Sequence, residues 1–278
     1  MAFRTSSTAI SLTAFLLLAL ALPAQTTKTV TLNEILDRME ANLDNHDAHL
    51  PSLFCDEHVI SSRFEYGSPD QTTVTDSVFR LKRTRKSDHT TTFVESREIR
   101  RLDGKPATSQ HIDGPALLSG AFEGGLAVVS RDQAPCMNYT LQPIDSSSRT
   151  EHYTLRFATA LGPRNSASCF LQEESKGRAL IDPASMQVTH LEITTPRHVI
   201  VKRKPFTSDI TGNRTLTIDY APVLLGGETF WMPSAITMRT TSGFGFHRTV
   251  WSFRAAYRNY HRLEVTSRIL PSNEVPKP

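Results

Sequence analysis

The chain has 278 residues, 38% of them hydrophobic, with 31 Lys and Arg against 28 Asp and Glu. That near-neutral balance argues against a dedicated nucleic-acid or polyanion binder, and the ordinary apolar fraction excludes a disordered chain. The length is ample for a large buried core that does not depend on disulfides.

Arg4 precedes a mostly apolar run at residues 10–22, which closes on Leu22-Pro23-Ala24. A spanning helix needs roughly 20 apolar residues, so this shorter run predicts an export signal, cleaved after Ala24. The mature protein is expected to be exported, periplasmic or extracellular. No further transmembrane segment is expected, because Glu123 interrupts the next apolar region at 117–129.

Thr31-Leu32-Asn33-Glu34 reads as a capping box, and Leu32, Ile35, Leu36, Met39 and Leu43 then fall at helical spacing. A helix over 31–45 follows, with Pro51 preventing continuation.

From residue 54 the period changes to 2. Ile60, Ser62, Phe64 and Tyr66 share a face of a first strand, followed by a turn at Gly67-Ser68-Pro69-Asp70. Phe79 and Leu81 alternate with Arg80 and Lys82, and a strand over 93–102 stops at the hairpin signal Asp103-Gly104. Tyr153, Leu155 and Phe157 share a face, as do Leu216, Ile218 and Tyr220, and then Trp251, Phe253, Ala255 and Tyr257. Further strands are expected at 169–173, 179–181, 188–193, 198–202 and 230–239. The glycine-rich stretch 111–129 reads as a loop with a short helix, a lid over one side of a sheet.

Alternation of this kind marks antiparallel strands with one wet and one buried face, and no βαβ pattern occurs. The expected fold class is mainly β (α+β): a large curved antiparallel sheet or half-open barrel with an N-terminal helix and a short helical lid. One domain spans 25–270, and a flexible Pro-rich tail spans 271–278. Of the three cysteines, Cys136 and Cys169 are the favoured disulfide, because strand-like segments fall in and around that loop. Pairings that use Cys55 remain open.

The sequence contains no nucleophile elbow, zincin motif, phosphate-binding glycine loop or paired-cysteine zinc motif. His46, Asp47, His49, Cys55, Asp56, Glu57 and His58 cluster in sequence without a defined ligand spacing, so no metal and no other cofactor is expected. Catalysis is not the favoured reading, and a secreted hydrolase with a convergent site is the lesser alternative. Arg80, Lys82 and Lys86 share one strand face, Arg83 and Arg85 the other. With Arg97, Arg100, Arg101 and Lys202-Arg203-Lys204 they suggest a basic surface.

Two strings carry a family likeness. Lys176-Gly177-Arg178-Ala179-Leu180-Ile181-Asp182-Pro183 followed by 188–193 looks like a strand-turn-strand of the periplasmic lipoprotein-carrier half-barrel. Asp219-Tyr220-Ala221-Pro222-Val223, Gly226-Gly227 and Phe230-Trp231-Met232-Pro233 look similar to its later hairpin. In its order of elements the chain resembles that outer-membrane lipoprotein-sorting fold, and otherwise secreted bacterial proteins of unknown function. The resemblance implies binding or transport of something amphiphilic.

The resulting expectation is a non-catalytic envelope protein that binds lipid or a lipidated partner in the concave face of its sheet. Phe79, Leu81, Leu155, Phe157, Trp251 and Phe253 would line the site, and Arg80 and Arg97 would meet a headgroup at its rim. The alternative is a structural or sensing module that binds another envelope protein through its basic face. No nucleic-acid partner is expected.

Overall fold

The structure is a computed structural model that describes residues 30–85, 91–112, 120–142, 151–160, 169–203, 206–243 and 248–263. The signal at 4–24, the tail at 271–278 and residues 113–119 of the expected lid lie outside the described residues.

Helix α1 spans Leu32–His49 and carries the capping box: the Glu34 amide donates to Thr31 Oγ1 at 3.2 Å, and the Thr31 amide donates to Glu34 Oε2 at 2.8 Å. It runs four residues beyond the expected end. Nothing between Asn45 and Leu50 breaks a helix, and the Leu50 amide still reaches the His46 carbonyl at 2.8 Å. Pro51 then draws Leu50 out of helical geometry, to ψ 118. Ile35, Leu36 and Met39 form the buried stripe.

The strands are β1 (Leu53–Glu65), β2 (Ser68–Arg85), β3 (Thr91–Leu102), β4 (Lys105–Pro106), β5 (Met137–Gln142) and β6 (Tyr153–Thr159). They continue with β7 (Lys176–Ile181), β8 (Val188–Arg203), β9 (Phe206–Leu225), β10 (Glu228–Gly243) and β11 (Arg248–Arg262). Between β4 and β5 lie the short helix α2 (Ala121–Gly124) and two 3-10 turns, Leu126–Val129 and Arg131–Cys136. All eleven strands form one open, curved antiparallel sheet in the order β4-β3-β2-β1-β11-β10-β9-β8-β7-β6-β5. Two meanders are thus joined where the first strand pairs with the last. α1 and the α2 segment cover the inner face, where the core sits.

Four strand expectations are corrected. The inner face of β1 carries Leu53, Cys55, Glu57, Val59 and Ser61, whereas Ile60 is 40% exposed and Tyr66 lies in the turn. Pairing fixes this phase, since Val59 sits between Thr75 of β2 and Ala255 of β11. The turn is Tyr66-Gly67, and Ser68 to Asp70 already belong to β2. Residues 169–173 form no strand; this segment is tied to the end of the second 3-10 turn by the Cys136–Cys169 disulfide. The two strands expected at 188–193 and 198–202 are one, β8, which runs through Pro196. Proline is tolerated there because β7 pairs with β8 only as far as Thr194, so its missing N–H faces a free edge.

Candidate functional site

The inner face is closed by a small plug. Phe122 of α2 lies with its ring centre 4.5 Å from that of Phe79 and 5.0 Å from that of Tyr257, an aromatic cluster that bridges β2 and β11 across β1. Val128 and Val129 of the following turn are buried as well. The segment approaches the sheet so closely that a Cβ on Gly125 would stand 2.4 Å from the Tyr220 hydroxyl and 2.6 Å from Ile218 Cδ1. A larger residue there would have to displace the ends of both side chains.

Phe79, Leu81, Leu155, Phe157 and Phe253 all face inward and are at most 3% exposed. They form two groups. Phe79, Leu81 and Phe253 lie on β2 and β11 with β1 between them, whereas Leu155 and Phe157 stand five strands beyond β11, on β6. Trp251 is half-buried beside Phe253, with ring centres 6.1 Å apart, and its indole N–H donates to Ser61 Oγ at 3.0 Å.

The two arginines are not on a common rim. Arg80 is on the outer face, as alternation from Phe79 requires, and is ion-paired with Glu98. Glu98 is held below the usual carboxylate range by that hydrogen bond and charge. Arg97 is on the inner face, with its guanidinium carbon 4.9 Å from the Phe79 ring centre. Its Nε donates to both oxygens of Glu57, at 3.0 and 2.8 Å, and Glu95 stands 3.9 Å from Nη1. Burial opposes the charge on Arg97, but the hydrogen bond and charge of Glu57 outweigh it, and the guanidinium is held more firmly protonated than usual.

Sequence reading missed Glu57 as the partner of Arg97. A charge at an inner position between Cys55 and Val59 was the available sign. Glu95 also ties the plug to the sheet, accepting from the Gly120 amide at 3.0 Å. Cys55 is a free, buried thiol, and burial together with the Glu57 charge pushes it up to about 12. Burial likewise raises Tyr220, Tyr257 and Tyr260 well above the ordinary phenol range.

The acid and imidazole cluster of the sequence is dispersed. His46, Asp47 and His49 end α1, Cys55 and Glu57 face inward, and Asp56 and His58 face outward. Among the described residues no three such groups gather as a metal site would require. Of the basic set, Lys86 and Lys204 lie outside the described residues. Arg83 faces inward at the end of β2 and donates to the Leu50 carbonyl at 3.0 Å.

One open cleft adjoins the plug. It holds about 250 Å³ between the Gly120–Gly125 backbone, Phe170 and Leu171 on one side and Ile193, Leu216 and Met238 on the other. Thr195 and Arg214 also line it; Arg214 is bonded to Glu173 at 3.0 Å. Phe170 is 48% exposed, and its amide donates to Gln133 Oε1 at 2.8 Å. The neighbouring disulfide at Cys169 fixes this wall to the lid segment. No helix among the described residues is long and apolar enough to cross a membrane.

The sequence matches no family model and no curated protein. Among solved structures it is similar to an outer membrane lipoprotein-sorting protein domain from Vibrio parahaemolyticus, at 11% identity and a TM-score of 0.41 over 83% of this chain and 92% of that one. It is also similar to a LolA superfamily protein from Nitrosomonas europaea, at 13% identity and a TM-score of 0.36 over 90% of this chain and 99% of that one.

Proposed function

We propose that this protein is exported and shelters the acyl chain of a lipid, or of a lipidated protein partner, against the inner face of its sheet. The observation that carries this reading is the apolar cleft of about 250 Å³ beside the plug, floored by Ile193, Leu216 and Met238 and open to solvent. A chain entering there gains about 0.8 kcal/mol per methylene buried. A longer chain advances by lifting Phe122, which stands between glycines at 120, 124 and 125 and carries only one turn of helix. Phe79, Leu81 and Phe253 then take the chain in place of Phe122, with Leu155 and Phe157 bounding the far side and Trp251 the open end. Arg214 and Thr195 supply the polar contacts at the mouth.

The test is titration of the full chain with a fluorescent fatty acid, alongside native mass spectrometry of the protein as purified. Saturable binding is expected, and Leu216→Trp, which fills the cleft, should weaken it by at least about tenfold, as loss of a few buried methylenes requires. Unchanged affinity in a folded Leu216→Trp protein, or no saturable binding by the parent, sinks the reading.

A further inference from the structure

Two β-bulges converge on one patch of the outer face, away from the cleft. In the β2–β3 ladder Asp76 pairs with Arg101 and Ser77 with Ile99, which leaves Arg100 as an extra residue. In the β1–β11 ladder Phe54 pairs with His261 and Asp56 with Arg258, so that Asn259 and Tyr260 oppose Cys55 alone. Asn259 adopts φ +55, the left-handed conformation that such a bulge uses.

Neighbouring side chains on a regular strand point to opposite faces. Here each bulge turns a consecutive pair, Arg100 with Arg101 and Arg258 with Asn259, toward one dish of about 500 Å³. That is the size of a site for a small solute. Ala256 keeps part of its floor low.

The polar groups of the dish pair with one another, although the charge of Arg100 also reaches Glu98 on its own strand. Asn259 Nδ2 donates to Asp56 Oδ2 at 2.8 Å, and His58 Nδ1 and Asp76 Oδ1 are 2.7 Å apart. Among the described residues, Arg100, Arg101 and Arg258 form no ion pair within 4.0 Å, in contrast to Arg80 and Arg178 on the same face of the sheet. The lining also holds Glu57, whose charge is matched by Arg97 behind it, so three guanidinia against Asp56 and Asp76 leave the dish cationic; guanidinium forks match tetrahedral oxyanions in charge and geometry.

We propose that this dish binds a small phosphate monoester. Arg100, Arg101 and Arg258 grip the phosphoryl oxygens, while His58 and Asp56 hydrogen-bond the hydroxyls of the esterified part.

Calorimetric titration of the full chain with glycerol 3-phosphate at low salt tests it. Saturable one-to-one binding is expected, displaced by inorganic phosphate and weakened by added salt. Arg100→Ala with Arg258→Ala should lower affinity by at least about tenfold with an unchanged unfolding midpoint, since hydrogen bonds to charged groups are strong and local. Arg156→Ala with Arg178→Ala, in a second outer-face cleft lined by Asn138, Lys176 and Glu192, should leave affinity unchanged. Leu216→Trp should also leave it unchanged, so failure of the acyl-chain reading and failure of this one are separable.

The proposal is overturned by an absence of saturable binding, or by equal losses in the two arginine double variants, which would mean diffuse charge attraction. Binding to anionic phospholipid vesicles without binding to the soluble ester would overturn it as well.

Discussion

Where β6 to β10 meet the interior, the buried side chains include Leu155, Phe157, Leu191, Ile193, Ile218 and Met238, and among the described residues there is no buried charge. Where β1 to β3 meet it, Glu57 is 2% exposed beneath Arg97, and Ser61, Ser62, Thr73, Thr75 and Ser77 are buried around them. Thus six of the nine buried polar residues among the described residues belong to two adjacent strands. The apolar region is held by area removed from water, which is non-directional and tolerates small shifts. The polar region turns on one directional pair, Glu57 with Arg97, and tolerates none. A one-residue slip of β1 would carry Glu57 outside and strip Arg97 of its chief counter-charge. The open cleft lies against the tolerant region, which is the region that can repack around a guest.

The largest expected effect breaks the polar region at its centre. Arg97→Met leaves Glu57 buried without its counter-charge and should cost about 3–5 kcal/mol in urea unfolding. Glu57→Leu with Arg97→Met removes both charges and should recover most of that loss. Equal destabilisation in the single and double variants would show that packing, not pairing, holds β1 to β3 together.

The apolar region has its own tether. The Cys136–Cys169 bridge spans 33 residues, and its removal by Cys136→Ser with Cys169→Ser should cost about 3–4 kcal/mol in the loop-entropy account. Hydrogen exchange should then quicken in β5 to β7 before β1 to β3. A uniform loss of protection would mean that the two regions are one cooperative unit.

Gly177 probes the same region more finely. A Cβ there would lie 2.0 Å from the Glu192 carbonyl oxygen and 2.5 Å from the Phe157 ring. Backbone cannot retreat as a side chain does, so Gly177→Ala should cost about 1–3 kcal/mol through overpacking. An unchanged thermal midpoint would show that β7 and β8 part freely.

Alkali distinguishes the regions through Cys55. Burial first, and the Glu57 charge second, push its thiol from 9.0 up to about 12. The unfolded chain releases that proton near 9 while the folded protein keeps it. Over that interval the unfolded state binds fewer protons, and stability falls as pH rises from 9 toward 12. Urea midpoints across this range should decline less steeply in Cys55→Ala. An identical slope would show that Cys55 is not responsible.

The sheet, its antiparallel character and α1 were legible because period and capping are local signals. The Thr31 and Glu34 box and the run of Phe79, Leu81, Leu155, Phe157 and Phe253 each declare a face within a few residues. The bridge from Cys136 to Cys169 was legible for a different reason, a short loop filled with strand-like segments. What could not be read depends on partners distant in sequence. Glu57 meets Arg97 across 40 residues, and Arg214 meets Glu173 across 41. Arg80 and Arg97 looked alike as strand cations, yet one faces solvent and the other the core. The bulges at Arg100 and Asn259 leave no mark on the alternation at all. They arise from a mismatch in count between neighbouring strands.

The phase of β1 also supplies the smallest expected effect. Local pattern groups Ile60, Ser62, Phe64 and Tyr66 on one face and does not say which face is inner. Pairing decides it: Val59 is 1% exposed and Ile60 is 40% exposed, with Arg254 of β11 and Val74 of β2 beside it. A strand flanked by two long neighbours takes its phase from all three inner faces together. The inner face here accepts Glu57 and Ser61 because Arg97 and Trp251 are waiting for them. Ile60→Thr should therefore change stability by no more than about 0.5 kcal/mol, whereas Val59→Ala should cost about 2 kcal/mol in the same urea titration. Equal losses at the two positions would mean that the outer face near Ile60 is itself a packed surface. The contrast between a tolerant and an exacting inner face would then have to be redrawn between the two sides of the sheet.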